Sequence, residues 1–223
     1  MANRLILLGV LCCFLTGGCA APQLYSRVVY EDPASFVRLE LSPTAHSDEP
    51  ETLHAHPTHL TEEQLTQIFK GLLIRETRSA LLLLFMDQAP ILPAFTEKEV
   101  AFLTQHIGKA LRLVVPEEVV TFYLSRPLNA TTREVTSGSV FIQKQQFHFM
   151  LSNYRTVYSI PPFGMIYDRR YPSYSLAPRT LDVLFEPVDY TIPNTVSFFE
   201  SLVGEAHEEE IILDLSRFSS LRL

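Results

Sequence analysis

Apolar and polar residues alternate, or recur every three to four positions, along enough of this 223-residue chain to draw most of its elements before any chemistry is considered. Between Leu24 and Leu41 two short runs, Leu-Tyr-Ser-Arg-Val-Val-Tyr and Ser-Phe-Val-Arg-Leu-Glu-Leu, flank Glu-Asp-Pro-Ala and read as a hairpin. In the second run Val37, Leu39 and Leu41 share one face and Phe36, Arg38 and Glu40 the other, as in a half-buried strand. From Ser42 to His59 the apolar pattern lapses into Pro, His, Ser, Asp and Glu, the composition of a loop or linker. Two helix starts then share one construction, Leu60-Thr61-Glu62-Glu63-Gln64-Leu65 and Phe95-Thr96-Glu97-Lys98-Glu99-Val100. Thr61 and Thr96 can accept from orphan backbone N–H groups, Gln64 and Glu99 can bond back to the cap, and Leu60/Leu65 and Phe95/Val100 form hydrophobic staples. Acidic residues in both first turns suit the positive end of the helix dipole. Leu65, Ile68, Phe69 and Leu72 mark the buried stripe of the first helix, and Val100, Leu103, Ile107, Ala110 and Leu111 that of the second.

Between the helices, Ala80-Leu81-Leu82-Leu83-Leu84-Phe85-Met86 has the length and flanking breakers of a buried strand, although its period also admits a helical piece. A strand over 119–124 precedes a clear hairpin, Thr136 to Gln143 paired with Gln146 to Asn153 across Lys144-Gln145. Val140 and Ile142 face one way and Phe141 the other, while Phe147, Phe149 and Leu151 alternate with His148 and Met150. The chain closes with a strand over 180–186, a short helix from Asn194 to Gly204, an acidic run Glu208 to Glu210 and a strand over 211–215. The expected fold class is α+β, an antiparallel sheet with two principal helices packed on one face.

The N-terminal stretch departs from these patterns. Arg4 and the terminal amine precede eleven uncharged residues, Leu5 to Leu15, and small residues then lead to Cys19, which is the grammar of a signal peptide. At about 1.5 Å per residue such a segment covers about 16 Å, short of a hydrocarbon core roughly 30 Å thick. Gly17-Gly18-Cys19 resembles the lipobox of bacterial lipoproteins, with Thr16 in the place that family most often fills with Leu. The resemblance covers residues 1–19. It implies that Cys19 is acylated and becomes the new N-terminus, anchored by two or three acyl chains where one would be marginal. Ala20 after the cysteine, rather than Asp, is similar to lipoproteins sent to the outer membrane. A secretory signal cleaved after Ala20 also satisfies the small-residue spacing.

Composition narrows the remaining chain. At 47% hydrophobic and 19% charged it is that of a folded domain. Removing Arg4 with the leader leaves 17 basic against 25 acidic residues, about −8, which argues against nucleic acid as a partner. Of three cysteines, Cys12 and Cys13 lie in the leader and Cys19 would be lipidated, so stability rests on the core rather than on disulfides. The organisation expected is a signal peptide over 1–18, then an anchor, N-terminal hairpin and His-containing linker over 19–60. An α+β domain follows over 61–223, its sheet joined by residues 24–41.

Candidate chemistry is sparse. His54, His56 and His59 form His-x-His-x-x-His, a permissive spacing for zinc or copper, with solvated histidines as the plain alternative. His148 sits inside a strand with no nucleophile set beside it by sequence. No Gly-x-Ser-x-Gly elbow and no phosphate-binding Gly-rich loop occurs among eight glycines, and no cofactor is implied. Tyr154 to Arg179, with five tyrosines, four arginines and four prolines, is hard to explain by core packing. Tyr167, Arg169, Arg170, Tyr171 and Tyr174 are the expected partner-binding residues, since Tyr and Arg are enriched at interface hot spots. An ordered crossover covering the sheet edge is the other reading. The expectation is a membrane-anchored envelope lipoprotein that binds or assembles with another envelope protein or ligand. The alternative is a periplasmic hydrolase or metal-binding protein using His54, His56 and His59.

Overall fold

The computed structural model describes residues 25–77, 87–159, 181–193 and 209–218. The run expected as a strand over 80–86 and the helix expected over 194–204 lie outside them. Ten strands and three helices within the described residues make an α+β fold in which antiparallel sheet dominates. In chain order these are β1 (Ser26–Glu31), β2 (Ser35–Leu41), α1 (Glu62–Gly71), β3 (Leu72–Glu76), β4 (Ile91–Pro93), α2 (Glu97–Ala110) and β5 (Glu118–Pro127). They continue with β6 (Thr132–Gln143), β7 (Gln146–Ser159), β8 (Leu181–Phe185), β9 (Thr191–Ile192), β10 (Glu209–Asp214) and α3 (Leu215–Phe218). A seven-stranded sheet runs β1-β2-β5-β6-β7-β10-β9, and a three-stranded sheet runs β4-β3-β8.

Local chemistry explains the turns. Asp32 Oδ1 accepts from the backbone N–H groups of Ala34 and Ser35 at 2.7 and 2.6 Å, so this side chain closes the β1–β2 hairpin. Lys144 takes a positive φ of 57° in the two-residue β6–β7 turn, whose handedness matches the twist of the flanking strands. Both capping boxes form: Thr61 accepts from Gln64 N–H and Thr96 from Glu99 N–H, and the Gln64 and Glu99 side chains accept from the cap N–H groups.

One apolar cluster joins Leu65, Ile68 and Phe69 of α1, Leu103 and Ile107 of α2, and Val37, Leu39, Phe122, Val140, Ile142, Phe147 and Phe149 of the large sheet. Aromatic rings tie it together, with Phe69 edge-on to Phe147 at 6.5 Å, Phe95 edge-on to Phe149 at 6.1 Å and Phe122 stacked on Phe149 at 5.9 Å. Each such contact adds about 0.5–1.5 kcal/mol beyond the area it buries. Gly138 lies in the middle of β6 because a Cβ there would run into the Met150 carbonyl of β7.

The small sheet departs from the sequence reading. Leu72, expected as the last residue of the first helix stripe, instead opens β3 opposite Phe185, fully buried. Gly71 permits that change of direction, since a Cβ would lie 2.7 Å from the Glu186 carbonyl oxygen. The strand expected over 180–186 is β8, and it pairs with β3 rather than with the large sheet.

Because each cap supplies two hydrogen bonds at the start of a helix whose face enters the core, Thr61→Ala and Thr96→Ala should each lower unfolding free energy by about 1 kcal/mol. Urea midpoints that stay in place for both variants would mean the caps contribute nothing.

Candidate functional site

Cys19, Tyr167, Arg169, Arg170, Tyr171 and Tyr174 lie outside the described residues. The histidines can be placed, and the segment carrying two of them is a packed strap rather than the solvated linker its composition implies. His54 N–H donates to the Pro116 carbonyl at 3.0 Å, Ala55 N–H to Ile142 at 2.7 Å and Thr58 N–H to Leu111 at 2.8 Å. The strap therefore pairs with β6 where β5, whose ladder with β6 begins at Val120–Val140, has not yet started. His54 and His56 are buried at 5% and 7% exposure, while His46 and His59 are exposed.

A row of rings crosses the sheet from this strap. His54 and His56 are 5.6 Å apart, His54 lies 4.3 Å from Phe141, and Phe141 stacks on its cross-strand partner His148 at 4.5 Å. His148 Nδ1–H donates to Glu210 Oε1 of β10 at 2.6 Å, because an ionised carboxylate can only accept. His148 Nε2 and all four ring nitrogens of His54 and His56 are buried without hydrogen-bond partners. Sequence reasoning missed Phe141 and Glu210 as members of this row. The alternation that turns Phe141 and His148 away from the core side was visible, but nothing in the sequence placed His54 beside them.

A carboxylate-oriented imidazole is the arrangement of an acid–base dyad. Here Nε2 is sealed and no nucleophile bonds to it, so the pair can fix a tautomer and cross-link β7 to β10 but has no reacting atom within reach among the described residues. Among the described residues no three His, Cys, Asp or Glu side chains come together as a metal-holding group. Beside the row, Phe36 stacks on Tyr123 at 5.0 Å under the Arg38 guanidinium, and Asn153 donates to Ser137 at 2.8 Å.

Glu118 is a second hub. Its carboxylate is fully buried and accepts from Arg27 Nε at 2.9 Å, Arg27 Nη2 at 2.5 Å and Val115 N–H at 3.1 Å. These bonds outweigh burial and hold its carboxyl below the usual range. β1, β5 and the loop after α2 are thereby fastened at one point.

Burial pushes His54 and His56 down to about 4, with His148 opposing a charge on His54 and His54 opposing one on His56. Both are neutral when folded and take protons when unfolded. The stability tied to their neutral forms is complete above the ordinary value of 6.5 and is lost as pH falls towards 4, on the order of a few kcal/mol for the pair. Glu40, pushed up to about 7 by burial, acts oppositely, contributing below 4.5 and losing its share as pH rises through 7. His54→Phe isolates one imidazole: it should be neutral or stabilising at pH 7, since it removes two unpartnered nitrogens, and should flatten the fall in urea midpoint between pH 6.5 and 4. A large loss of stability at pH 7 would mean the ring makes a bond the structure lacks. No family model, curated protein or solved structure matches this chain.

Proposed function

We propose that this chain is a bacterial envelope lipoprotein, held at a membrane through Cys19, that works by binding rather than by catalysis. Its partner is another envelope protein or an envelope ligand, and its place is the outer membrane facing the periplasm. The observation that carries the binding reading over the hydrolase or metal alternative is the sealing of His54, His56 and His148. Their free nitrogens are buried away from solvent, and among the described residues no third His, Cys, Asp or Glu joins them to hold an ion. The anchoring half rests on the lipobox-like Gly17-Gly18-Cys19.

Residues 24–41 and 61–223 are read as one domain, in which two principal helices lie on one face of the large sheet. The shared cluster of α1, α2 and sheet side chains supports this layering. Recognition falls to Tyr167, Arg169, Arg170, Tyr171 and Tyr174, whose neighbouring prolines restrict the unbound chain and so lessen the entropy lost on docking.

Replacing Arg169, Arg170 and Tyr171 together by Ala should weaken capture of co-purifying envelope components from native membranes by about tenfold or more, with little change in melting temperature. A collapsed melt with unchanged capture would assign the stretch to the fold. Cys19→Ala should remove the mass of the acyl chains from the intact protein; an unmodified wild-type N-terminus at Ala21 would sink the anchor.

A further inference from the structure

The end of the large sheet that carries Glu118 also gathers exposed apolar side chains. Tyr25 is 50% exposed, Leu41 58%, Leu113 49% and Val115 41%. They are neighbours because each is tied to the Glu118 hub. Tyr25 stands two residues before Arg27 and near enough to the carboxylate for its phenol to be raised, Val115 donates its N–H to Glu118, Leu113 accepts through its carbonyl from the Arg27 that pairs with Glu118, and Leu41 is the register partner of Glu118 on β2. Exposed apolar residues scattered singly need no explanation, but four gathered around one carboxylate form a patch.

We infer that this patch is a membrane-docking surface, with Tyr25, Leu41, Leu113 and Val115 entering the headgroup region of the lipid bilayer that holds the acylated Cys19. The inference rests on the lipoprotein reading and deepens it. Its first support is reach: Tyr25 stands six residues after Cys19, a span of at most about 20 Å even fully extended. β1 starts at this end of the sheet, since Ser26 pairs with Glu40 and Leu41 with Glu118. The acylated terminus therefore holds this end, and not the opposite one, near the lipid.

Charge is the second support. A buried carboxylate at the centre of an apolar patch would normally oppose desolvation, but Glu118 is neutralised by Arg27 through two hydrogen bonds. The pair enters a low-dielectric boundary without a net charge. Tyr25, half exposed, supplies the amphipathic aromatic that favours such a boundary, an apolar ring with a polar hydroxyl. Attachment by apolar insertion needs no anionic lipid, which suits a chain with an acidic excess.

The chain has no tryptophan, so Leu113→Trp or Val115→Trp introduces a single indole at the patch. Val157→Trp is the control: its register partner Glu134 stands opposite Arg126, eight residues up β5 from Glu118, about 26 Å away. The acylated full-length variants are reconstituted into vesicles of phosphatidylcholine and phosphatidylethanolamine containing chain-brominated phosphatidylcholine, and a thermal melt checks that each is folded. Fluorescence of both patch indoles should be quenched about twofold or more, as for side chains roughly 5–10 Å into the headgroup and acyl boundary, with Val157→Trp unquenched. Patch indoles quenched by aqueous iodide but not by bromolipid would overturn the inference. Intact mass separates the two readings. An acylated Cys19 with both patch indoles in water defeats docking and leaves the anchor standing. An unacylated Cys19 defeats the anchor, and bromolipid quenching of the same variants added to vesicles then upholds or overturns docking by itself.

Discussion

A strand gives alternate residues to opposite sides, and the β6–β7 pair fixes which side receives which. Val140, Ile142, Phe147 and Phe149 go to the apolar cluster, while Ser137, Ser139, Phe141 and His148 go to the other face. That second face is not left to water, since Thr121 and Ser137 are fully buried and Ser139, His148 and Ser152 nearly so. A slip of one residue would exchange the two sets, placing serines and an imidazole in the core and phenylalanines among hydroxyls, each buried polar group then costing about 1–3 kcal/mol. The two-residue turn at Lys144-Gln145 leaves no slack for it. Placement of β5, β10, the histidine strap and the helices follows from this one register.

Elements written in short-range chemistry were legible. Capping boxes at Thr61 and Thr96 are self-contained in four residues, and both hairpins announce themselves by alternation on either side of a turn. The small sheet was not legible, because Leu72 continues the helical spacing of Leu65, Ile68 and Phe69 and is buried whichever element it belongs to. What ends α1 is contact with β8, more than a hundred residues on, where Phe185 and Glu186 crowd Gly71. A local pattern cannot report a partner so distant.

The candidate site shows the same division. Histidines in a Pro- and Glu-rich stretch read as solvated because composition carries no information about where backbone donors go. Here His54, Ala55 and Thr58 find carbonyls on the β5 approach, on β6 and after α2, and the rings follow the backbone inward. His148 could be assigned to the correct side of its strand, but its pairing with Glu210 depends on β10 lying beside β7. Glu118, adjacent to Glu117 in an unremarkable acidic pair, gave no sign that one carboxylate would be half-buried beside Ser47 and the next sealed against Arg27.

The strand order also sets a sequence of events for a chain that emerges from its N-terminus. β1 and β2 come first, yet β2 gains its second neighbour only from β5, 83 residues further along at the Arg38–Thr121 bond. An isolated two-stranded hairpin is marginal in water, so β1–β2 must wait unsatisfied while β5, β6 and β7 assemble as a local meander. Leu39, Val37 and Phe36 are exposed during that wait, and β10, near the other end of the chain, joins β7 last. Local pairing thus favours condensation from the middle of the chain outward, and its earliest-made strands are those longest without a partner and most open to aggregation.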